Sequence, residues 1–320
     1  MSMKPSLVSA LPFLILCTAG CETRTRSHSH KLEDAISVSV IEQTPTIFLG
    51  LKQVVAFHED LLSGSKPEGK LGMDSLMKLN VDTIICVDGV APDVKGAREY
   101  GIKTIHIPLK YNAPTKTQIL DLTTAFTMNH ARGKVYIHCH HGKHRSAAAA
   151  ALVSIALGFA TPQEMKERME VSETSIHYEG LWEAVEKQEV INVFDILENK
   201  KPFPSMVKPQ GMTAQMVAIE EAMERLLLVK QSGWVVPASH PDLAPASDAG
   251  LITETFRVMQ LNPETHNFAT DFTTQVINAV HQASGLEEAL MIESIDPKSL
   301  DQYLHRVEQS CINCHATSRR

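Results

Sequence analysis

The chain has 320 residues, of which 43% are hydrophobic and 21% charged, a composition typical of a soluble globular protein long enough for two cores. Its net charge of -7 arises from Met212 onward, where 14 acidic residues outnumber 7 basic ones. No stretch of the sequence is basic enough to indicate a nucleic acid partner, so we expect none.

The first 21 residues are typical of an export signal. Lys4 precedes the apolar run SLVSALPFLILC, which is too short for a stable membrane-spanning helix. The next four residues, TAGC, are similar to the cleavage box of bacterial lipoproteins, so we expect a lipid on Cys21. Simple signal cleavage and a retained anchor helix are the alternatives. The sequence thus predicts an exported, periplasmic protein held to the membrane only by an N-terminal lipid, with residues 22–44 as a polar tether.

Residues 45–190 alternate short β-branched runs with segments of helical spacing. This alternation predicts an α/β domain with a central, mostly parallel sheet. Thr161 followed by Pro162 is typical of a helix start. The predicted strands are residues 46–50, 82–89, 103–109 and 134–139, and the predicted helices are 72–80, 91–101, 115–131, 146–158, 161–172 and 179–190.

The composition changes at residues 191–211, which contain three prolines and are predicted to be a linker. Beyond them, residues 212–320 show no strand pattern. Apolar residues recur there at spacings of three and four in segments 213–231, 247–260, 264–283 and 296–319. We therefore expect an all-α four-helix bundle as the second domain.

The segment HCHHGKHRS, residues 138–146, joins a predicted strand to a predicted helix through a cysteine, five loop residues and an arginine. Backbone N–H groups in such a loop point inward at one oxyanion. The helix N-terminus, Lys143 and His144 favour the thiolate of Cys139, which becomes a nucleophile. The planar guanidinium of Arg145 suits a phosphoryl group, and Gly142 allows a close turn.

This segment resembles the HCxxGxxR[S/T] loop of the cysteine-dependent protein phosphatases, in particular the dual-specificity group, and the similarity extends over about residues 45–190. The resemblance implies that Cys139 forms a phosphocysteine, that Ser146 helps the thiolate to leave and that His138 orients the loop. It also implies a phosphorylated protein or a small phosphate ester as substrate. The phosphate-binding loop then comprises His140, His141, Gly142, Lys143 and His144.

Two other interpretations of the loop remain open. It could bind phosphate without turnover, as in a pseudophosphatase. Alternatively, the four histidines at positions 138, 140, 141 and 144 could form a metal site.

One feature departs from the family pattern. The family takes its general acid from an aspartate after the preceding strand, where this chain has Tyr111 and Asn112 in IPLKYNAPT. Loss of such an acid typically costs about 10²- to 10⁴-fold in rate, most with poor leaving groups. The candidate substitutes are Asp88, Asp93, His140 and His144.

Cys86 lies near the end of the predicted strand 82–89, beside the phosphate-binding loop. In some phosphatases of the group, a cysteine at this place forms a disulfide with the nucleophile, which implies that Cys86 is a redox partner of Cys139. The alternative is a small apolar strand residue.

The segment CINCH, residues 311–315, has the C-x-x-C-H spacing of covalent c-type haem attachment. Cys311 and Cys314 are one helical turn apart and would bind the vinyl groups, and His315 would ligate the iron. A zinc site is the alternative. We expect one covalent haem c.

The region from residue 212 to 320 resembles the four-helix cytochromes of the c′ and c-556 group, whose last helix carries CxxCH followed by a basic residue. The resemblance implies that Arg319 lies at a haem propionate and that a residue of the first helix sits over the other haem face. Met212, Met216 and Met223 are the candidates for a sixth ligand there, with Met216 selected. The alternative is that these methionines pack in the core and that the iron is five-coordinate and open to a small gas. The resemblance also implies electron transfer with a periplasmic partner, or redox or gas sensing. The alternative function for the whole chain is a c-type cytochrome with a non-catalytic anion-binding domain.

Overall fold

The computed structural model describes residues 42–208, 211–262 and 270–318, all within one compact unit. Cys21 and Arg319 lie outside the described residues, so the lipid and the propionate contact stay predictions. Within the described ranges, none of the helices has the length and apolar character needed to cross a bilayer.

A six-stranded mixed sheet forms the centre of the first part of the chain, in the order β1-β2-β3-β6-β4-β5. The strands β3, β6, β4 and β5 run parallel, and β1 and β2 add antiparallel pairs at one edge. The parallel part agrees with the predicted sheet. The strands are β1 Thr46–Phe48, β2 Leu51–His58, β3 Leu61–Gly64, β4 Val81–Cys86, β5 Lys103–His106 and β6 Lys134–His138.

The hairpin of β2 and β3 was missed by the sequence analysis, which placed one strand at 46–50 and none from 51 to 64. Four consecutive residues of β2, Val54 to Phe57, are buried, because both faces of this strand are covered. A strand buried on both faces lacks the polar and apolar alternation by which strands are recognised.

Six α-helices accompany the sheet: three lie between strands in the chain, and three follow β6. All 12 residues of α4 are buried, which makes it the central helix. Thr161 caps α5 as predicted: its hydroxyl accepts the Glu164 N–H, and the Glu164 carboxylate accepts the Thr161 N–H. The helices are α1 Gly69–Lys78, α2 Val94–Glu99, α3 Lys116–Thr127, α4 Arg145–Ala156, α5 Pro162–Val171 and α6 Glu179–Glu186.

The segment predicted to be a linker contains a helix and forms hydrogen bonds to the sheet. It contains the helix α7, Val193–Glu198, whose start is capped by the side chain of Asn192. Farther on, Pro204 O accepts the His106 N–H at 2.8 Å, and the Val207 N–H donates to the His106 ring at 3.0 Å. The segment therefore packs along β5, the edge strand of the sheet.

Four helices follow, α8 Met212–Gln231, α9 Pro245–Leu261, α10 Thr270–Leu290 and α11 Pro297–Ser318. Their apolar faces form a second core cluster, which includes Leu226, Ile252, Leu286 and Leu304. The first core also takes in residues of this helical region, namely Ala246, Leu290 and Met291. The helical region thus packs against the α/β part, on the side that carries the loop of residues 138–146.

Candidate active site

Cys139 lies directly after β6 and is almost fully buried. Its Sγ accepts the backbone N–H of Gly142 at 3.3 Å and lies 3.4 Å from the hydroxyl of Ser146. Ser146 is in the first turn of α4, so the loop bends back over the start of this helix. The structure thus brings together the predicted nucleophile, loop glycine and hydroxyl.

Gly142 is required at the tip of this turn. Its φ of +82° is in the left-handed region, and a Cβ there would collide with the backbone of Gly64 and Ser65, just after β3. Only glycine fits both the dihedral angle and the close approach.

The predicted phosphate clamp, Arg145, is fully buried at the N-terminus of α4. Its guanidinium lies 4.2 Å from the centre of the Tyr111 ring. Nη1 donates to Leu109 O at 3.3 Å and forms an ion pair with Glu254, and Nη2 donates to the Tyr111 hydroxyl at 3.1 Å. Nε has no hydrogen-bond partner among the described residues.

Three charged residues of the helical region, all missed by the sequence analysis, reach this site. Glu254 on α9 pairs with Arg145, and Arg257 one turn later donates to Asp88 at 3.1 Å. Glu287 on α10 accepts a hydrogen bond of 2.8 Å from the Tyr178 hydroxyl. The spacing of Glu254 and Arg257 put them on one helix face, but nothing in the sequence indicated what that face would contact.

Asp88 is at the site, but it does not suit the proton-donor role considered for it. Burial on its own would raise the pKa of Asp88, but the guanidinium groups of Arg145 and Arg257 outweigh burial and lower it. Asp88 therefore stays ionised and acts as a counterion. Asp93 caps α2 instead, accepting the Gly96 N–H at 2.9 Å.

The loop histidines are neutral, which corrects the expectation that His144 supplies positive charge. Burial lowers the pKa of His144 to about 3, of His140 to about 3 and of His138 to about 4. Burial also lowers the pKa of His141. The Nδ1 atom of His138 lies 3.2 Å from Cys139 O, a contact that suits its predicted orienting role.

Arg145 and Arg257 carry positive charge at this site. Lys143 forms its ion pair with Glu173, which is exposed, so this charge is partly neutralised at the surface. Arg145 and Arg257, by contrast, have side chains 1% and 12% exposed. Buried guanidinium groups interact more strongly with an anion than exposed ammonium groups do.

Two buried carboxyl groups at the site are easier to protonate than usual. Burial raises the pKa of Glu254, and its pairing with Arg145 offsets only part of this rise. Burial also raises the pKa of Glu287, against the hydrogen bond from Tyr178.

The metal-site interpretation of the histidines finds no counterpart in the coordinates: across residues 42–208, 211–262 and 270–318, His, Cys, Asp and Glu form no group of three or more able to hold a metal ion. The rings of His140 and His141 meet edge to face at 4.4 Å, whereas His144 packs on Tyr178 at 4.5 Å.

Cys86 and Cys139 are both thiols without a disulfide. Cys86 is in register with His138 across β4 and β6, whereas Cys139 packs in the core cluster of Ile85 and Ile137. Because side chains alternate along a strand, the Cys86 side chain is on the sheet face opposite to that of Ile85. Its Sγ donates to Val90 O at 3.5 Å, and burial raises the pKa of this thiol. Their pairing stays a prediction.

A cavity of about 1010 Å³ opens between the helices of the C-terminal region. Cys311, Cys314 and His315 of α11 line one side. The other walls include Phe256 of α9 and Val276 of α10, together with Met212, Met216 and Met223 of α8. The volume is at the upper end of the ~300–1,000 Å³ range typical of ligand and cofactor sites.

Comparison with protein families finds one match. Residues 52–185 match the family described as PTP-SAK, Swiss Army Knife protein, DSP-PTPase phosphatase domain. This part of the chain is therefore similar to phosphatase domains of the DSP/PTP type. The search of curated proteins found no match.

Several solved structures are similar to part of this chain. TpbA of P. aeruginosa in complex with pTyr is 15% identical, with 55% of this chain and 100% of that chain covered and a TM-score of 0.40. A putative phosphatase (DUF442) of Shewanella putrefaciens is 21% identical, with coverages of 44% and 95% and a TM-score of 0.37. Human DUSP28 is 20% identical, with coverages of 46% and 96% and a TM-score of 0.35.

Proposed function

We propose that this protein is an exported, cysteine-dependent phosphomonoesterase that carries one covalent haem c. The observation that carries the hydrolase part is the geometry of Cys139, whose Sγ accepts the Gly142 N–H at 3.3 Å in a loop that ends at the buried Arg145. The substrate is a phosphorylated protein or a small phosphate ester.

The chemistry follows from the positions of these groups. The Cys139 thiolate attacks phosphorus and forms a phosphocysteine as the ester oxygen leaves. Arg145 and the backbone N–H groups at the start of α4 stabilise the charge on the transferring phosphoryl group. Water then attacks phosphorus, and the Ser146 hydroxyl, 3.4 Å from Sγ, donates a hydrogen bond to the departing thiolate.

Two features of Arg145 support a phosphate ligand. Its Nε is a buried donor with no partner among the described residues, and buried donors are normally paired. Its Nη1 already binds an anionic group, the carboxylate of Glu254. A bound phosphate would exchange one anion for another on the same guanidinium.

The test is hydrolysis of 4-nitrophenyl phosphate by the full chain under reducing conditions. Cys139→Ser should abolish turnover, and Ser146→Ala should slow breakdown of the phosphocysteine so that it accumulates in a burst experiment. Ser154→Ala is the matched control, since this serine on the same helix bonds only to backbone oxygens. Turnover that survives in Cys139→Ser would refute the mechanism.

A second function, anion binding without turnover, is favoured by one observation. The position of the family's general acid holds Tyr111 and Asn112, and the Arg145 guanidinium is covered by Glu254. This function predicts that inorganic phosphate binds to the reduced protein while no ester is hydrolysed.

The haem proposal is supported by the fit of the large cavity to a planar, mostly apolar ring. Both cysteines of CINCH and His315 line this cavity, and Met216 lines it from the facing helix. Cys311 and Cys314 would hold the group through thioether bonds, with His315 and Met216 on the iron, in a four-helix bundle of the c′ type. Bound haem would supply one-electron transfer or binding of a small gas.

The haem proposal is tested by expression in a host that attaches c-type haem. We expect a mass increase of one haem and a c-type optical spectrum, both lost when Cys311 and Cys314 are replaced by serine. An unmodified mass in wild type, despite a working control cytochrome, would refute it.

Export and lipidation at Cys21 belong to the same proposal, because covalent haem attachment in bacteria takes place outside the cytoplasm. They imply a periplasmic protein on a lipid anchor and a periplasmic electron-transfer partner. Cys21→Ala should release the protein from the membrane fraction into the soluble periplasmic fraction.

A further inference from the structure

The proposed phosphatase reaction still lacks a proton donor for the leaving group. The usual position holds Tyr111 and Asn112, Asp88 is ionised between two arginines, and the loop histidines are neutral. A donor must therefore come from elsewhere in the described structure.

Glu254 is a carboxyl group held at the site by α9. It pairs with Arg145, and its side chain is 12% exposed. A Cβ on Gly89 would collide with its carboxyl group, so Gly89 provides the space that Glu254 occupies. The charged groups around it are Arg145, Asp88 and Arg257.

Glu254 lines a second cavity, of about 540 Å³. Its lining also includes residues of the 108–115 loop, of α8 and of α9, together with Val207 and Lys208. Because Glu254 both lines this cavity and contacts Arg145, the cavity adjoins the position of the phosphoryl group.

Gln215 of α8 indicates a polar ligand in this cavity. It lines the cavity and is 4% exposed, yet neither its Oε1 nor its Nε2 has a hydrogen-bond partner among the described residues. An unpaired buried amide is unfavourable, so a group with one donor and one acceptor would be favoured beside it. A peptide-type amide has both.

We propose that this cavity is the leaving-group subsite of the phosphatase, that Glu254 in its lining is the proton donor, and that Gln215 binds an amide group of the leaving group. The substrate class is thus a phosphate ester whose leaving group carries an amide. This inference rests on the proposed hydrolase function.

The reaction balances as follows. The phosphate ester displaces the Glu254 carboxylate from Arg145, and the carboxylate takes up a proton from the solvent beside the bound dianion. The Cys139 sulfur forms the S–P bond, the P–O bond to the leaving group breaks, and the Glu254 proton passes to that oxygen. In the second step Glu254 takes a proton from the attacking water, the O–P bond forms and the S–P bond breaks, which restores the thiolate.

The first experiment compares phenyl phosphate with 4-nitrophenyl phosphate, whose leaving group needs less protonation. Glu254→Gln should lower kcat/KM for phenyl phosphate by about 10²-fold or more and for 4-nitrophenyl phosphate by less than about tenfold. The matched control is Glu287→Gln, the other buried carboxyl group, which should leave the ratio between the two substrates unchanged. Equal losses, no loss, or faster hydrolysis of both substrates would overturn the assignment, the last because Glu254 would then only block Arg145.

The pH profile of the wild type answers the same question if the variant does not fold. Since the donor acts when protonated, kcat/KM for phenyl phosphate should fall as pH rises through the raised pKa of Glu254, and the fall should be weaker with 4-nitrophenyl phosphate. Parallel profiles for the two substrates would overturn the proposal.

The second experiment tests Gln215 with phenyl phosphate and N-acetyl-O-phosphotyrosine amide. Gln215→Leu should raise KM for the amide substrate about three- to tenfold, with kcat and the constants for phenyl phosphate nearly unchanged. Gln163→Leu, an exposed glutamine on α5, is the control. Equal changes for both substrates would overturn the subsite.

The outcomes separate this inference from the function on which it rests. Absence of any hydrolysis that depends on Cys139 overturns both. Hydrolysis that depends on Cys139 but shows unchanged leaving-group dependence in Glu254→Gln overturns only the role of Glu254.

Discussion

The two regions of the protein differ in the space around their cysteines. Cys139 is 3% exposed, and its neighbours are the chain's own backbone and Ser146. Cys311 and Cys314 line a cavity of about 1010 Å³. A site built from backbone N–H groups is complete in the polypeptide alone, whereas a cavity of this size leaves its walls without packing partners on one side.

Packing supplies the largest expected difference between the regions. Leu152 of α4 is fully buried in the first core, whereas Met223 of α8 is half-buried at the wall of the large cavity. Leu152→Ala should lower the free energy of unfolding by about 2–5 kcal/mol, and Met223→Ala in haem-free protein by less than about 1.5 kcal/mol. Urea unfolding measures both. Equal costs would mean that the cavity closes in solution.

The next largest effect tests whether activity at Cys139 depends on the backbone conformation of its loop. Gly142→Ala forces a Cβ into the backbone of Gly64 and Ser65 and should lower kcat/KM by about 100-fold through displacement of the loop. Gly101→Ala is the control, because Gly101 also has positive φ, +73°, but a Cβ there meets open space. The control should lose about 1 kcal/mol of stability and keep its kinetics. Similar kinetic losses in both variants would contradict the explanation.

A smaller effect comes from His144, a neutral histidine of the first region. The pKa of His144 falls from 6.5 to about 3 on folding, so between these values the unfolded chain binds the proton and stability decreases as pH falls. Protonation of His144 in the unfolded chain should lower the free energy of unfolding by on the order of 2 kcal/mol between pH 7 and pH 5. His144→Gln should reduce the difference between urea unfolding curves at these two pH values. An unchanged difference would show that this ring is accessible to protons.

The smallest effect concerns a contact between the regions. Tyr178→Phe removes the hydrogen bond to Glu287 of α10 and keeps the ring stacking on Tyr111, whose centre is 4.8 Å away. We expect a loss of about 1 kcal/mol in thermal unfolding. Because the lost partner leaves Glu287 buried, the loss should shrink at low pH, where Glu287 is protonated. If the loss of stability does not depend on pH, it comes from changed packing and not from the hydrogen bond to Glu287.

The local parts of the site could be predicted from the sequence. Cys139, Gly142, Arg145 and Ser146 lie within eight consecutive residues between a strand and a helix, so their relative positions follow from the local fold. The cap of α5 at Thr161 was equally local.

The parts contributed by other segments could not be predicted. Glu254 lies 109 positions after Arg145, and the periodicity of α9 shows which residues share a face but not what that face contacts. The charge of His144 was mispredicted for a related reason. Its burial depends on Tyr178, far along the chain, and burial decides its protonation.

The enclosure of Arg145 by residues of α9 has a practical consequence for truncated forms of this protein. Glu254, Arg257 and Ala246 all lie beyond the apparent end of the hydrolase region. A fragment stopped near residue 190 would leave the guanidinium and Asp88 open to water and part of the α4 packing uncovered. Rate constants obtained on such a fragment would describe a wider, wetter pocket than the one that the full-length polypeptide builds.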